Sequence, residues 1–465
     1  MPLPTSCAVE IDSQRGIYKV DDQIWDVGRN YKLVQIIGSG VYGIVCKGLI
    51  KATMQTVAVK RMDDVLSHHE LAKRVLREVC IMRRLSHNNI LSLVDIFIGV
   101  SKQSNKKVGT DVYIVTEYAD KGNLLNFMNQ LHSDYTRIIM QQILEGVNFM
   151  HSSGVWHRDL KPENVLLFSP VIAKICDFNL SRSVEEGSEA MLDQNRAAQR
   201  RQNPRSRRRY TSLVVTRNYR APEVIMSHGD YTSAIDIWSL GCIFWELLSV
   251  TSRQGKASNY PTDCLFHPKL EEYDTPKDNE YFLKDGDKYR FQLLNEIFNV
   301  IGTPCWKDIE SIPSHKWRKY LKSLPGKVGK LNETLGNIDK EALDLLSRML
   351  CFDPTRRCTA KEALNHQYFK NMSTIEMVRA NLSTKLAKEI SLHKIEHPAL
   401  ALRKLEDVIK KHNDGTHGQD IKKISLLLEN EVKEQHKTTL VPRNIYGGRI
   451  KTQVGLIPKV KRIKN

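Results

Sequence analysis

An octapeptide near the middle of the chain, HRDLKPEN at 157–164, places an aspartate, a lysine and an asparagine at close spacing. Asp159 can accept the proton of a substrate hydroxyl, and Lys161 can neutralise charge on a phosphoryl group in transfer. Asn164 and Asp177, thirteen residues further on, offer the hard oxygen ligands that Mg²⁺ prefers when it bridges nucleotide phosphates. Together these residues predict phosphoryl transfer.

A glycine-rich segment, GSGVYGIV at 38–45, predicts a phosphate-binding loop. Glycine lets backbone N–H groups approach phosphate oxygens without an intervening Cβ. By itself the pattern also fits a glycine-rich hairpin with no ligand, or the turn of a dinucleotide-binding fold. The dinucleotide-binding alternative needs a helix directly after the glycines, whereas a strand-like run follows here.

A lysine and a glutamate complete the candidate phosphate site. Lys60 ends the run Val57-Ala58-Val59-Lys60, where it can reach the α- and β-phosphates as a point charge. Glu78 lies eighteen residues later and can supply its anionic partner. Either residue alone would be interpreted as an ordinary surface charge; their order with the glycine loop and the octapeptide favours the functional interpretation.

The elements that must position these residues change in type along the chain. Before residue 118 the pattern predicts short strands, among them 57–59 and 113–118, and one amphipathic helix over about 68–85. After Gly122 helical patterns dominate, including the nearly all-apolar run Ala234 to Leu248, which predicts a buried helix. This segregation predicts an α+β fold with two lobes.

The ordered set of motifs resembles the signature of eukaryotic protein kinases over about residues 25–370. The lysine two places after Asp159 is typical of the serine/threonine form. Ala221-Pro222-Glu223 is similar to the family's APE motif, Asp236 matches its buried aspartate, and Arg357 lies where the family places the partner of that glutamate. The resemblance implies ATP and Mg²⁺ as cofactors and the following nucleotide contacts: Ile37, Gly38, Ser39, Gly40, Val41, Tyr42, Gly43, Ile44, Val45, Ala58, Lys60, Glu117 and Ala119.

Several longer segments resemble mitogen-activated protein kinases, in the CMGC group. They include IWDVGRNYKLVQIIGSGVYGIV, AKRVLREVCIMRRLSHNNIL and KICDFNLSR. Cyclin-dependent kinases, which share the TRxYRAPE element but differ in the helix around Glu78, are the second choice. The predicted organisation is an N-terminal extension (1–30), a kinase domain (31–369; lobes about 31–118 and 119–369, activation segment 177–223) and a basic helical C-terminal extension and tail (370–465).

Two departures from the family bear on activity and regulation. Asn179 stands where the family has a glycine that serves backbone freedom, and Asn is the non-glycine residue that best tolerates positive φ. We therefore expect altered switching of this loop, with the chemistry retained. This departure is the only support for a pseudokinase scaffold. In the activation segment, Leu213 replaces the family's second phosphorylated residue, and Thr211 is kept. The resemblance implies a clamp for a phosphate on Thr211 formed by Arg77, Arg158 and Arg182.

Charge is concentrated in two segments, within a formal net charge of +17. The cluster from Arg196 to Arg209 fits a solvated insertion, a nuclear-import or nucleic-acid patch, a docking strip for acidic partners, or a site for a basophilic activating kinase. The tail from Lys459 to Lys464 could bind nucleic acid or anionic lipid through phosphate charge but lacks interleaved aromatic residues, so a solvated tail is the default.

The remaining expectations concern compartment and partners. The chain is predicted to lie in the cytoplasm or the nucleus, for three reasons. Its nine cysteines are scattered singly along the sequence, it shows no secretory signal, and it has no apolar run long enough for a membrane helix. The expected partners are protein substrates with Ser or Thr, and an upstream kinase unless Thr211 is self-phosphorylated. Arg220, before the APE motif, implies by resemblance a preference for proline after the target residue.

Overall fold

The computed structural model of the chain forms two compact units. Unit 1 contains residues 1–69, 93–118 and 425–465, and unit 2 contains residues 70–92 and 119–424. The structure describes residues 7–40, 43–101, 109–128, 131, 133–169, 171–183, 217–226, 232–252, 264–266, 282–336, 338–370 and 417–438.

Unit 1 is built on two antiparallel sheets. Its strands are β1 (Val9–Asp12), β2 (Ile17–Val20), β3 (Gln23–Asp26), β4 (Tyr31–Gly40), β5 (Gly43–Ile50), β6 (Thr56–Met62), β7 (Leu93–Ser101) and β8 (Gly109–Glu117). The larger sheet has the strand order β4-β5-β6-β8-β7, and the smaller sheet, from the N-terminal residues, has the order β1-β2-β3. On β6 Val57 and Val59 are fully buried while Ala58 and Lys60 are partly exposed, the alternation expected of a strand with one covered face.

The N-terminal sheet belongs to the core of unit 1. Residues 1–30 were predicted only as an N-terminal extension, but Val9–Asp26 contains all three strands of this sheet. Tyr18, Val20 and Trp25 are buried in one cluster with residues of the larger sheet. Burial of two large aromatic side chains ties this segment to the unit, since each removes roughly 150–250 Å² of surface from water.

A buried arginine joins the two sheets of unit 1. The Arg61 side chain, 3% exposed, pairs with Asp111 on β8, with a distance of 2.9 Å from its Nη2 to Asp111 Oδ2. Its Nη1 donates to Gln23 Oε1 on β3 at 2.9 Å, and its guanidinium lies 5.5 Å from the ring centre of Trp25. Arg61 directly follows Lys60, so the contacts that hold the N-terminal sheet also hold the strand that carries the predicted phosphate lysine.

We expect Asp111→Ala to lower the free energy of unfolding by about 3 kcal/mol, because it leaves the Arg61 charge buried without its best partner. Asp63 provides the matched control: it also pairs with Arg61, at 3.1 Å, but is 39% exposed, so Asp63→Ala should cost less than about 1 kcal/mol. Urea unfolding of both full-length variants measures the difference. Equal losses would contradict a special role for the buried pair.

The C-terminal extension returns to unit 1 as a long helix, α13 (His417–Thr438). Its Gln435 Nε2 donates to the carbonyl of Val94 on β7 at 3.4 Å. His436 Nε2 lies 3.1 Å from the carbonyl oxygen of Ile96 and 3.3 Å from Asp95 Oδ1. The helical pattern predicted beyond residue 369 is therefore confirmed over these residues, and its attachment to β7 is a feature that the sequence did not reveal.

Unit 2 is mostly helical and centres on α5, the predicted buried helix. It spans Ala234–Ser252, and Trp238, Leu240 and Phe244 are fully buried. Gly241 allows close packing, since a Cβ there would lie 2.7 Å from Leu350 Cδ2. The other helices are α1 (His69–Arg84, which begins in unit 1), α2 (Leu124–Phe127), α3 (Ser133–Ser152), α4 (Pro222–Met226), α6 (Phe282–Ile301), α7 (Trp306–Glu310), α8 (His315–Ser323), α9 (Leu331–Leu335), α10 (Lys340–Met349), α11 (Ala360–Leu364) and α12 (Gln367–Lys370).

Two short antiparallel strand pairs in unit 2 frame the segment with the octapeptide. One pair joins β9 to β12 and the other joins β10 to β11. Within the residues that the structure describes, no helix is long and apolar enough to cross a membrane. The four strands are β9 (Val155–Trp156), β10 (Val165–Phe168), β11 (Ile172–Ile175) and β12 (Arg182–Ser183).

Candidate active site

The octapeptide forms a loop between β9 and β10, with a short 3₁₀ turn at Pro162–Asn164. Lys161 Nζ lies 3.0 Å from Asp159 Oδ2. Asn164 Nδ2 donates to the main-chain carbonyl of Asp159 at 2.8 Å and to its Oδ2 at 3.3 Å. The structure thus brings together the predicted base, the predicted phosphoryl-neutralising lysine and one predicted metal ligand.

The backbone of this loop is held by hydrogen bonds to Asp236 on α5. Its carboxylate accepts hydrogen bonds from the main-chain N–H groups of His157, at 2.9 Å, and Arg158, at 2.7 Å. His151 Nε2 on α3 lies 2.8 Å from Asp236 Oδ2. Burial by itself raises the pKa of Asp236, but the hydrogen bonds that its carboxylate accepts, above all the one from His151, outweigh burial and lower the pKa, so the group stays ionised. Arg158 adopts φ +74°, and the two hydrogen bonds from main-chain N–H groups to Asp236 stabilise this uncommon conformation.

His157 connects the octapeptide loop to the segment that contains Asp177. The ring is fully buried; Nδ1 accepts from the main-chain N–H of Asp159 at 3.3 Å, and Nε2 lies 3.0 Å from the carbonyl oxygen of Cys176. These partners assign the neutral tautomer with the proton on Nε2. The Cys176 N–H donates in turn to the carbonyl of Asn164 at 3.0 Å. Asn164 and Asp177 are therefore positioned by one network.

The conformation of the Asp177-Phe178-Asn179 segment differs from our expectation. Asn179 is not at positive φ; Asp177 is, at +66°. Our explanation of Asn179 by backbone tolerance is therefore wrong. Its side chain acts instead, since Nδ2 donates to Asp177 Oδ1 at 2.5 Å. Phe178 is fully buried, with its ring edge-on to that of His157 at 5.5 Å between centres.

The donor set of this segment fits a magnesium-bound nucleotide. Because the Asn164 amide nitrogen is engaged by Asp159, its oxygen is the atom left to serve as a cation ligand. Asp177, partly exposed, adds a carboxylate. In the described part of the chain no three His, Cys, Asp or Glu side chains form a metal cluster. Mg²⁺ commonly binds through one or two carboxylates together with waters and substrate phosphates.

The glycine-rich segment lies in unit 1 and comprises the end of β4 and the start of β5, which pair in antiparallel fashion from Gly40 and Gly43 outward. Gly43 is required by the fold: at φ +132° a Cβ would lie 2.1 Å from the carbonyl oxygen of Arg61. Gly40 is not required in this way, because a Cβ there would meet no atom of the described residues within 4 Å. This fits a backbone that a ligand can approach without an intervening Cβ. Val41 and Tyr42 lie outside the described residues.

The other predicted nucleotide contacts fall in both units. In unit 1, Lys60 and Ala58 lie on β6, and Glu117 is buried at the end of β8. Ile37 is exposed on β4, as is Ser39, whereas Ile44 and Val45 on β5 are half-buried. In unit 2, Glu78 is buried on α1, at 3% exposure, and Ala119 is half-buried.

The APE glutamate and Arg357 form the ion pair that the resemblance implied. Arg357 Nη1 and Nη2 donate to Glu223 Oε1 and Oε2 at 2.7 and 3.0 Å, which is a bidentate pair. Arg357 Nη1 also donates to the carbonyl of Ala234 at the start of α5. The Arg357 side chain is fully buried and lies over the Trp238 ring. One side chain thus joins α4, which ends the activation segment, to the helix that carries Asp236.

Only part of the predicted phosphate clamp can be located. Arg77 lies half-buried on α1 of unit 2, and Arg158 is buried beside the predicted base. Arg182 lies on β12, where its backbone pairs with Trp156. Thr211, Leu213 and the basic cluster from Arg196 to Arg209 fall outside the described residues, as does the tail from Lys459 to Lys464.

Three residues that the sequence analysis did not single out hold the site together. His151 bonds to Asp236, His157 connects the two loops, and Ser181 Oγ donates to the carbonyl of His157 at 3.3 Å. His157 could have been found, because it opens the quoted octapeptide. His151 and Ser181 carry no local signal, since their partners are distant in sequence.

Comparison with known proteins identifies the family. The protein kinase domain family matches residues 31–369. Mitogen-activated protein kinase 4 of Oryza sativa subsp. japonica is 35% identical over 355 residues, which cover 76% of this chain and 81% of that protein. Extracellular signal-regulated kinase 1 of Dictyostelium discoideum is 33% identical over 375 residues, 80% of this chain and 60% of that protein. The chain belongs to the mitogen-activated protein kinase family, with the two-lobed α+β kinase fold and the serine/threonine kinase activity that this membership carries.

Proposed function

We propose that this enzyme transfers the γ-phosphoryl group of ATP to serine or threonine followed by proline, with Asp159 as the base. The substrate hydroxyl oxygen forms a bond to the γ-phosphorus while the bond from phosphorus to the bridging oxygen of ADP breaks. The hydroxyl proton passes to the Asp159 carboxylate, and ADP leaves with the electron pair of the broken bond. Lys161, which pairs with Asp159 at 3.0 Å, offsets charge on the group in transfer.

The observation that carries this proposal is the positioning of Asp159. Its carboxylate contacts Lys161 and Asn164, and its loop is fixed by two main-chain hydrogen bonds to a buried carboxylate. Preorganised groups of this kind lower the barrier because little reorganisation is needed at the moment of reaction. A scaffold that only binds partners has no need for such a constellation, so the structure favours the enzyme over the pseudokinase alternative.

Asn164 and Asp177 are proposed to hold Mg²⁺, and Lys60 with the glycine-rich segment to hold the phosphates. When bound, the ion would neutralise phosphate charge and orient the γ-phosphoryl group. The chain's own contribution is the fixed direction of the two ligands, through the contacts of Asn164 with Asp159 and of Asn179 with Asp177. Peptide-array phosphorylation by the full chain, with and without Mg²⁺, tests the reaction and defines the substrate class.

A proline preference is expected from Arg220, which precedes the buried Ala221. In the family an arginine here holds the preceding backbone so that its carbonyl is not offered to the substrate, and proline has no N–H to leave unsatisfied. We expect Ser-Pro peptides to be phosphorylated at least tenfold faster than matched Ser-Ala peptides, an effect of about 1.4 kcal/mol. Paired peptides that differ only in this residue provide the measurement, and equal rates would rule the preference out.

Activation is proposed to depend on a single phosphate on Thr211. A phosphate of about −2 charge would attract Arg77, Arg158 and Arg182 and form about one to three charge-assisted hydrogen bonds. Arg208-Arg209-Tyr210-Thr211 fits either a basophilic upstream kinase or self-phosphorylation. We expect Thr211→Ala to lower activity at least tenfold, while Ser212→Ala, the adjacent hydroxyl, leaves it within about twofold, since a shift of a few kcal/mol orders a loop. Mass spectrometry of the active enzyme, together with the rates of both variants, checks this; full activity in Thr211→Ala would show that another residue is the switch.

The compartment and the basic tail remain proposals from sequence. The singly spaced cysteines favour a reducing compartment, the cytoplasm or the nucleus. Binding of nucleic acid or anionic membranes by Lys459 to Lys464 has only charge in its favour. A salt titration of binding by the full chain and by a chain ending at residue 458 would separate phosphate binding from a role in solubility.

A further inference from the structure

One oxygen of Asp177 is occupied by the residue that replaces the family's glycine. Asn179 Nδ2 donates to Asp177 Oδ1 at 2.5 Å, and the main-chain N–H of Asn179 lies 3.4 Å from the same oxygen. A glycine at 179 could supply only the second, weaker contact. Hydrogen bonds to a charged acceptor are shorter and about twice as strong as neutral ones. Oδ1 is therefore engaged by the protein, and Oδ2 is the oxygen left for a cation.

The surroundings keep this arrangement in place. Asn179 is 3% exposed, so water has little access to substitute for its amide. The backbone before Asp177 is tied by the Cys176 N–H to the Asn164 carbonyl, and after it Phe178 is fully buried. The Ser181 N–H donates to the Phe178 carbonyl at 3.1 Å. Because both flanks are held, the carboxylate cannot turn toward a cation with both oxygens without losing the Asn179 bond.

Cations differ in what they require from a carboxylate. Mg²⁺ takes six ligands at about 2.0–2.1 Å and commonly binds a carboxylate through one oxygen, keeping several waters. Ca²⁺ takes about six to eight ligands at 2.3–2.6 Å and often uses both carboxylate oxygens. A carboxylate with one oxygen already engaged therefore suits the smaller ion better.

We propose that Asn179 is a specificity-determining residue that limits Asp177 to one-oxygen coordination and so favours Mg²⁺ over Ca²⁺ in the nucleotide complex. The inference rests on the proposed function, since it assumes that Asp177 contacts the cation of the bound nucleotide. It gives a physical role to the departure from glycine that backbone conformation does not explain. Asn179 acts through Asp177 and is a positioning residue.

The test measures nucleotide binding, independently of catalysis. Binding of a fluorescent trinitrophenyl-ATP to the full chain is titrated with Mg²⁺ and separately with Ca²⁺, for the unmodified protein, Asn179→Ala and Asn179→Gly. We expect the preference for Mg²⁺ over Ca²⁺ to fall about tenfold in both variants, the equivalent of one charge-assisted hydrogen bond. The free nucleotide has its own preference between Mg²⁺ and Ca²⁺, and this preference cancels when each variant is compared with the unmodified protein. Asn89→Ala is the matched control, because it removes an equally buried asparagine amide whose Nδ2 donates to the main-chain carbonyl of Ala173, at 3.0 Å, rather than to a carboxylate, and it should leave the ratio unchanged.

The possible outcomes separate this inference from the proposed function. An unchanged ratio in Asn179→Ala and Asn179→Gly, with binding still dependent on cation, overturns the inference alone. The same shift in Asn89→Ala also overturns it, since the effect would then come from the general loss of a buried asparagine and not from the contact with Asp177. If nucleotide binding is independent of cation in the unmodified protein, or if Asp177→Asn keeps the full cation dependence, the proposed metal site fails and the inference fails with it. A cooperative thermal unfolding transition establishes that each variant is folded. If Asn179→Ala is not folded, Asn179→Gly provides the test.

Discussion

Asp159→Asn should lower the turnover number by about 10²–10⁴-fold, the usual contribution of a positioned general base. The substitution keeps the size of the side chain and an oxygen to accept from Asn164, which donates to Asp159 Oδ2 at 3.3 Å. It removes the negative charge that accepts the substrate proton and pairs with Lys161. Nucleotide affinity should change little, because the proposed phosphate and metal contacts come from other residues. Steady-state phosphorylation of a substrate peptide and equilibrium nucleotide binding measure the two effects.

The control for this prediction makes the same chemical change away from the loop. Asp344 on α10 is about half exposed and pairs with Arg348 and His366. Asp344→Asn should leave turnover within about twofold, since surface ion pairs contribute little. Normal turnover in Asp159→Asn would show that the base is assigned wrongly. If the unmodified, phosphorylated protein binds nucleotide but phosphorylates no peptide, the protein is a scaffold.

Arg357→Ala should lower the free energy of unfolding by about 3–5 kcal/mol, because it leaves Glu223 partly buried without its bidentate partner. The substitution also removes the hydrogen bond to the carbonyl of Ala234 and the contact with the Trp238 ring. Arg357→Lys should recover only part of the loss, since an ammonium group cannot form the two parallel hydrogen bonds. Denaturant unfolding with linear extrapolation measures each change.

The neighbouring residue provides a matched control. Arg356 also forms ion pairs, with Asp308 at 2.6 Å and Asp353 at 3.3 Å, but its side chain is 57% exposed. Arg356→Ala should therefore cost less than about 1 kcal/mol. The double variant Arg357→Leu with Glu223→Leu should be more stable than Arg357→Ala alone, because no buried charge is left unpaired. Equal losses in Arg356→Ala and Arg357→Ala would show that burial is not the cause.

Structural features that depend on residues close together in the sequence could be predicted from the sequence alone. Apolar runs predicted β6 and α5, and helical spacing of apolar residues predicted α1, with ends correct to within a few residues, because these patterns are local properties of the sequence. The octapeptide holds Asp159, Lys161 and Asn164 within six positions, so a single loop conformation brings them together. Their chemistry could be predicted without knowing where any other part of the chain lies.

The N-terminal sheet shows where local patterns fail. Its strands are only four residues long and contain charged residues, so they give a weak signal. Trp25 and Gln23 are held by Arg61, which lies on another sheet and is itself held by Asp111, fifty residues further along the chain. The stability of this segment comes from partners distant in sequence, which a periodicity argument does not detect.

The role of Asn179 was decided only by the tertiary structure. The sequence showed that this position departs from the family's glycine, and it predicted that Asn179 itself would adopt a positive φ. In the folded chain Asp177 takes the positive φ instead, and the Asn179 amide turns to its carboxylate. Asp236 on α5 holds the octapeptide loop, and His157 connects that loop to Cys176, which directly precedes Asp177. The residue types of the site could be predicted from the sequence. The orientations of their side chains are set by buried hydrogen bonds between segments that meet only in the folded chain. These hydrogen bonds form because a polar group that is buried on folding needs a hydrogen-bond partner inside the protein.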